Sequence, residues 1–341
     1  MTHSRNYRTL RRLILPALAG GALAALAFAP TFGAEPVQAN VPTQSISAPK
    51  GDAPKADVPK TDVPKADVPR PDDVKTGEIN EPTPHKEANP STFTGTSVIS
   101  ESKTFEHQRF DNTTSDQNSF IGKNKATITI NSSVFDKTGN TTNDDNSNFH
   151  GQNAVVLGIE GSQTSIKDSN ITSNSIGSNA VFATGEVSVI NVENTNIHTK
   201  GDSSRGLDAT YKGTVNGKNL TITTEGAHSA TLATDRGEGT ITAEAAKLTT
   251  SGTGSPVIYS TGNIIANNVN GVANKSEIGV VEGKNSITLT NSNVTGYHDN
   301  GFMLYQSFSG DAESGIARLK AENNTLTTHG TGAFIYVNNT T

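Results

Sequence analysis

Beyond residue 153 the apolar positions fall into short runs that return at nearly even intervals. They are NAVVLG (153–158), NAVFAT (179–184), RGLDAT (205–210), SATLAT (229–234), PVIYST (256–261), GVVEGK (279–284), GFMLYQ (301–306) and GAFIYV (332–337). Their starts lie 26, 26, 24, 27, 23, 22 and 31 residues apart. Between them run segments such as TSIKDSNIT, VSVINVENTNIHT, GTVNGKNLTITT and NSITLTNSNVTG, where Ile, Val or Leu alternates with Thr, Ser or Asn. Alternation with period two marks a strand with one buried face, and the intervening Gly, Asn and Asp supply turns. Each unit predicts two to three short strands. A unit this short cannot bury its apolar face alone, so the units must stack.

The missing i, i+3, i+4 spacing and the excess of β-branched residues exclude a helical repeat. A propeller blade would need about 40 residues. The pattern therefore predicts an all-β chain, a right-handed parallel β-helix of roughly eight to ten coils. At about 4.8 Å per rung it would be a rod of roughly 40–50 Å. Residues 153–341 carry the clear repeats. Residues 91–152 are expected to hold an N-terminal cap and the first coils: Lys125 to Ile130 with Ser133-Val134-Phe135 as one rung, Thr104 to Phe120 as a cap, and Thr138 to Gly151 as a long polar turn.

The chain begins differently. Arg5, Arg8, Arg11 and Arg12 precede an uncharged run from Leu13 to Ala29, and Val37-Gln38-Ala39 offers a small-x-small cleavage site. This predicts a secretory signal peptide over 1–39, with no stable membrane span after cleavage. Residues 40–90 are low in complexity, and 52–71 repeat a five-residue unit with one Pro, DAPKA-DVPKT-DVPKA-DVPRP. Pro fixes φ and removes an amide donor, which predicts a disordered, semi-stiff spacer.

Composition now makes sense. Of 341 residues only 32% are hydrophobic and 5% aromatic, too few for a thick globular core but enough for a column one side chain wide. The 27 Lys+Arg against 33 Asp+Glu give a net charge of −6, and so no basic stripe for nucleic acid. The absence of Cys excludes disulfide scaffolds, thiolate metal sites and thiol nucleophiles. About thirty Asn follow residue 100, which a solenoid uses in stacked turns.

The segment 203–262, SSRGLDATYKGTVNGKNLTITTEGAHSATLATDRGEGTITAEAAKLTTSGTGSPVIYSTG, resembles the repeats of adhesin-like bacterial and archaeal surface proteins, as do 280–296 and 301–313. Autotransporter passenger domains have similar coils. The resemblance covers roughly residues 120–341. It implies a pectate-lyase-like β-helix with a secreted or cell-surface location. Because the sequence ends directly after the strand GAFIYV, a truncated frame or a lost anchor is the expectation there.

Aligning the runs places Asp208, then Asp235 and Arg236, then Glu282 and Lys284, then Gln306 along one edge, with Tyr211, Tyr259 and Tyr305 nearby. This polar, aromatic stripe is the candidate glycan-binding face. Against this stands the blander reading, solvated turn residues with mutual ion pairs, each worth little. No GxSxG, HExxH, Walker or GxGxxG motif occurs, the eight His are scattered, and no cofactor or metal is expected. Asp144-Asp145 and the pair Asp311 and Glu313 read as exposed acidic turns. The expected function is non-enzymatic binding to carbohydrate or to host, matrix or cell surfaces. The alternatives are a polysaccharide lyase or hydrolase on the same scaffold, which would need clustered carboxylates, and a structural envelope spacer or Thr-ladder ice-binding face.

Overall fold

The computed structural model describes residues 88–307 and 312–338. The expected signal peptide and nearly all of the spacer lie outside the described residues. Among the described residues twenty-eight strands are arranged in three parallel sheets. The first face has ten strands, from Gly95–Ile99 to Ile335–Asn338, and the second and third have nine each. The chain visits the faces in strict rotation, each strand pairing in parallel with the strand one coil earlier and one coil later. The result is a right-handed parallel β-helix with nine complete coils among the described residues. All eight apolar runs from 153 onward supply first-face strands. Each alternating segment between them folds as two strands, one on the second face and one on the third.

The coils begin earlier than the sequence pattern suggests. Lys103–Glu106, Arg109–Asn112 and Asn118–Gly122 are coil strands, so the stretch expected to form a cap belongs to the ladder. Their core is aromatic: Phe105, Phe110, Phe120 and Phe135 pack with ring centroids 4.8–6.3 Å apart. Further along the core narrows to a column of aliphatic side chains. On the third face Ile171, Ile197, Ile222 and Leu248 stack in register. Volume is matched between rungs: Gly279 faces Phe302, and a Cβ there would lie 2.9 Å from the ring. The expected polar turn, Thr138 to Gly151, instead contains a short helix, Asp144–His150. Asn143 caps it, accepting from the Asn146 amide, and Gly151 ends it at φ +78°.

Two devices repeat at the corners. Where the third face returns to the first, Ser204, Ser229 and Ser255 each accept the amide of the preceding coil's serine at 2.9 Å, and Thr199, Thr224 and Thr250 donate to the serine carbonyls. Where the second face turns into the third, one residue per coil sits in the left-handed region. These are His107, Ser132, Asp168, Asn194, Asn219, Ala245, Asn268, Asn291 and Asn323, all with φ between +49° and +56°. Asn tolerates this conformation better than other L-residues, and the amides also bond along the rod: Asn194 donates to Asp168 and Asn219 to Asn194, both at 3.1 Å.

Ala245 breaks that ladder with a residue that neither favours φ +54° nor offers an amide. Ala245→Asn is expected to raise the unfolding free energy by about 1 kcal/mol, from relieved backbone strain and a restored amide neighbour. Urea denaturation beside Asn219→Ala, which should lose a similar amount, checks this; no gain in Ala245→Asn would show that the ladder is decorative.

Candidate functional site

The candidate residues concentrate on the outer side of the first face. There the strands lose their alternation and are buried on both sides: Val181–Thr184, Leu207–Thr210 and Gly279–Glu282 contain no exposed position. For the first two strands the cause is a cover. Helix Asp144–His150 lies against this face, as its contacts show: Thr210 Oγ1 donates to the Phe149 carbonyl at 2.9 Å, and Asn179 Nδ2 donates to the Ser147 carbonyl at 3.2 Å. The outward column beneath it starts apolar, with Ile121, Leu157 and Phe182 in register and Phe93 packed on top.

The next position in that column is Asp208. It is fully buried, and no side chain donates a hydrogen bond to either carboxyl oxygen. Burial holds its acid well above the usual carboxylate range; Arg205, with Nε 3.8 Å away, opposes this, and the nearby Asp235 charge adds to it. Asp235, also buried, takes the closer contact, with Arg205 Nη2 at 2.9 Å from Oδ2. Arg205 Nη1 donates to Asn148 Oδ1 on the helix at 2.8 Å. One guanidinium therefore joins two rungs of the ladder to the covering helix.

Toward the C-terminal coils the network continues through oxygens. Tyr259 donates to Glu282 Oε2 at 2.8 Å and Tyr305 to the same oxygen at 3.2 Å, while Ser307 donates to Oε1. Burial, with the neighbouring Glu282 carboxylate, holds both phenols above the usual tyrosine range. Asp208, Asp235, Tyr259, Glu282 and Tyr305 thus form one group across consecutive rungs, with the two tyrosines half-buried and the three carboxylates behind them. The other candidates go elsewhere. Tyr211 stacks on His150 at 5.2 Å, and the Arg236 guanidinium lies 3.7 Å over the Phe149 ring. Lys284 pairs with Glu313 and Glu238 at 2.5 and 2.9 Å, which raises its ammonium above the lysine range. Gln306 donates to the carbonyls of Ser307 and Ala312.

Asp208, Asp235 and Glu282 are therefore buried rather than solvated, whereas Tyr211 and Arg236 lie in turns and Lys284 forms the partly exposed mutual ion pairs that one reading of the sequence foresaw. Arg205 and Asn148, which hold the acidic group to the helix, were missed. Their signal is faint: Arg205 stands three residues before Asp208, and nothing in the sequence marks a charged residue as buried. Among the described residues no set of three His, Asp or Glu is placed to hold a metal ion, and no helix is long and apolar enough to cross a membrane.

A buried carboxyl inside an apolar column, poorly compensated by a cation 3.8 Å away, costs stability. Asp208→Leu, between Phe182 and Ala233, is expected to raise the unfolding free energy by about 1–3 kcal/mol at neutral pH. The sign with pH follows from the raised native acid. The fold keeps a proton that the unfolded chain releases near its ordinary value of 3.8, so stability present below that pH is lost as pH rises toward the native value. Asp208→Asn should remove this slope; denaturation curves across the acid range will test it, and an unchanged slope counts against the assignment. Searches of protein-family models, curated proteins and solved structures return no match, and the fold is assigned from its strand ladder alone.

Proposed function

We propose that this chain is an exported, non-enzymatic β-helix protein that binds carbohydrate or other repetitive material on host, matrix or cell surfaces, in the manner of the adhesin-like proteins its repeats resemble. One observation supports this reading most. The second face is an open sheet whose outward positions are mostly polar side chains, as in Gln163–Lys167, Thr214–Lys218 and Thr240–Glu244, with Val189 and Ile265 the outward apolar ones in its middle rungs. Repetition of this kind suits many weak contacts to a repetitive ligand. The acidic group on the first face is engaged internally instead, by Arg205, the tyrosines and Ser307. A glycan array and binding to fixed cells or extracellular matrix, using the full chain, form the test; no binding to any of them sinks the proposal. Export is tested by fractionating cells that express the chain with and without residues 1–39.

A specific observation keeps a second reading, polysaccharide cleavage. Burial raises the Asp208 acid while Asp235 is paired with a cation, and carboxyls driven apart in this way are the usual division of acid and base. Release of reducing ends or unsaturated sugars from acidic polysaccharide, abolished in Asp235→Ala, would favour it over binding. A Thr-ladder surface has less support. The outward Thr-x-Thr pairs at 127/129, 240/242 and 288/290 lie on the second face and those at 221/223 and 325/327 on the third. On neither face do two such pairs stand on adjacent rungs among the described residues.

A further inference from the structure

The second face is not flat along its middle five rungs. Strands Gln163–Lys167, Val189–Glu193, Thr214–Lys218, Thr240–Glu244 and Asn263–Asn267 enclose a concavity of about 410 Å³. Its floor is the outward column Ser165, Asn191, Asn216, Thr242 and Ile265, in register across the five strands. The middle of that floor is pre-oriented. Asn216 Nδ2 donates to Asn191 Oδ1 at 2.9 Å, and Thr242 Oγ1 donates to Asn216 Oδ1 at 2.7 Å. These bonds hold the side chains in one line and lower the ordering cost of binding against them. Ile265 closes the floor with an aliphatic side chain that is 39% exposed, an apolar surface at the end of a polar column.

One wall of the concavity states what charge the occupant carries. It is the column Lys167, Glu193, Lys218, Glu244, again in register. Lysine and glutamate alternate, so the wall has two charges of each sign and no net charge. Lys167 Nζ lies 2.9 Å from Glu193 Oε2, and the lysines on both sides hold the Glu193 carboxyl below its usual range. A polyanion would meet a glutamate at every second rung, and a polycation a lysine. A ligand rich in hydroxyls and free of charge meets neither penalty, and finds amide, hydroxyl and aliphatic groups along the floor. The rungs recur every 4.8 Å or so, close to the length of one pyranose unit. A linear chain laid along the rod axis would therefore offer one sugar to each rung.

The geometry points to this concavity as a binding site for an uncharged, linear polysaccharide lying parallel to the helix axis. The inference rests on the reading of the protein as a surface-binding rod and names its site and ligand class. The full chain is run by affinity electrophoresis in gels cast with hydroxyethylcellulose, galactomannan or polygalacturonate, and binding is then titrated by calorimetry. Retardation by at least one of the two neutral polymers, unchanged between low and high salt, is expected. Ile265→Glu and Thr242→Lys should each weaken it by about tenfold or more, while Thr223→Glu on the third face leaves it intact. Thermal unfolding by circular dichroism confirms that the variants fold; Ile265 is exposed, and its exchange should not disturb the core.

Retardation by polygalacturonate alone, no retardation in either neutral gel, or groove variants that bind as tightly as the parent would overturn the inference. So would sedimentation showing that the chain self-associates and that Ile265→Glu makes it monomeric, since a second copy would then occupy the groove. The same variants applied to the glycan array and to cells separate the two levels. Adhesion that survives in Ile265→Glu removes the groove and leaves the surface-binding reading standing; adhesion absent from every variant and from the parent removes both.

Discussion

Arg205→Leu should lower the unfolding free energy by about 3–5 kcal/mol, the cost of leaving buried charge without its partner. Arg205 is 9% exposed, and its guanidinium is the cation paired with buried Asp235, with Asp208 close by. Its removal takes the guanidinium away from buried Asp235 and also removes the hydrogen bond to Asn148, loosening the seam between helix Asp144–His150 and the first face. Asp235 should then bind a proton more readily in the fold than in the unfolded chain. The deficit will therefore be greatest at neutral pH and shrink as pH falls toward the ordinary carboxylate range. Arg205→Lys keeps the charge but loses the planar fork, and an intermediate loss is expected. Replacing Arg205, Asp208 and Asp235 together by leucine should recover most of the stability, because apolar residues suit this column. Urea denaturation of the four variants at neutral and mildly acid pH decides the matter. If Arg205→Leu stays within about 1 kcal/mol of the parent, the guanidinium does not bridge these elements.

This network shows where sequence reasoning reaches and where it stops. Period-two alternation reports a surface with one wet and one dry side, and it located the second and third faces well, as in Thr240–Glu244 and Lys247–Thr250. The first face has a dry outer side wherever the helix covers it. There RGLDAT carries a buried Asp where alternation gives no reason for one, and the same residues read as a solvated edge. The first coils were obscured for a different reason. Their cores use Phe rather than β-branched residues, and RFDN (109–112) shows only two buried positions. The helix was legible in principle: Asn143 before Asp144-Asp145, His150 in the last turn and Gly151 after it are ordinary start and stop signals. Its seven residues carry no apolar stripe, however, and the polar composition of DDNSNFH pointed to a turn.

Lys137→Met is expected to cost about 2–4 kcal/mol at neutral pH. Lys137 is fully buried, and its ammonium donates to the carbonyls of Thr114, Thr138 and Gly139 at 3.0, 2.6 and 2.9 Å. The Gly139 oxygen also accepts from Ser175 Oγ and Asn153 Nδ2, so the loss comes mainly from the other two carbonyls, left dry without a donor. This clamp stands at the root of the insertion that carries the helix. Asp116 secures the other side: burial alone would raise its carboxyl, but the Thr142 hydroxyl and amide and the Thr141 hydroxyl hold it below its usual range. Burial pushes the Lys137 ammonium down to about 8, with Asp116 opposing. An unfolded lysine keeps its proton to about 10.5. Between these values the unfolded chain holds one proton more than the fold, so raising the pH favours folding. The parent should therefore gain stability from about pH 8 to 10.5 while Lys137→Met does not, and the gap between them should widen through that window. Guanidinium denaturation at several pH values across it will show whether it does; a gap that stays constant would mean that the Lys137 ammonium is not desolvated.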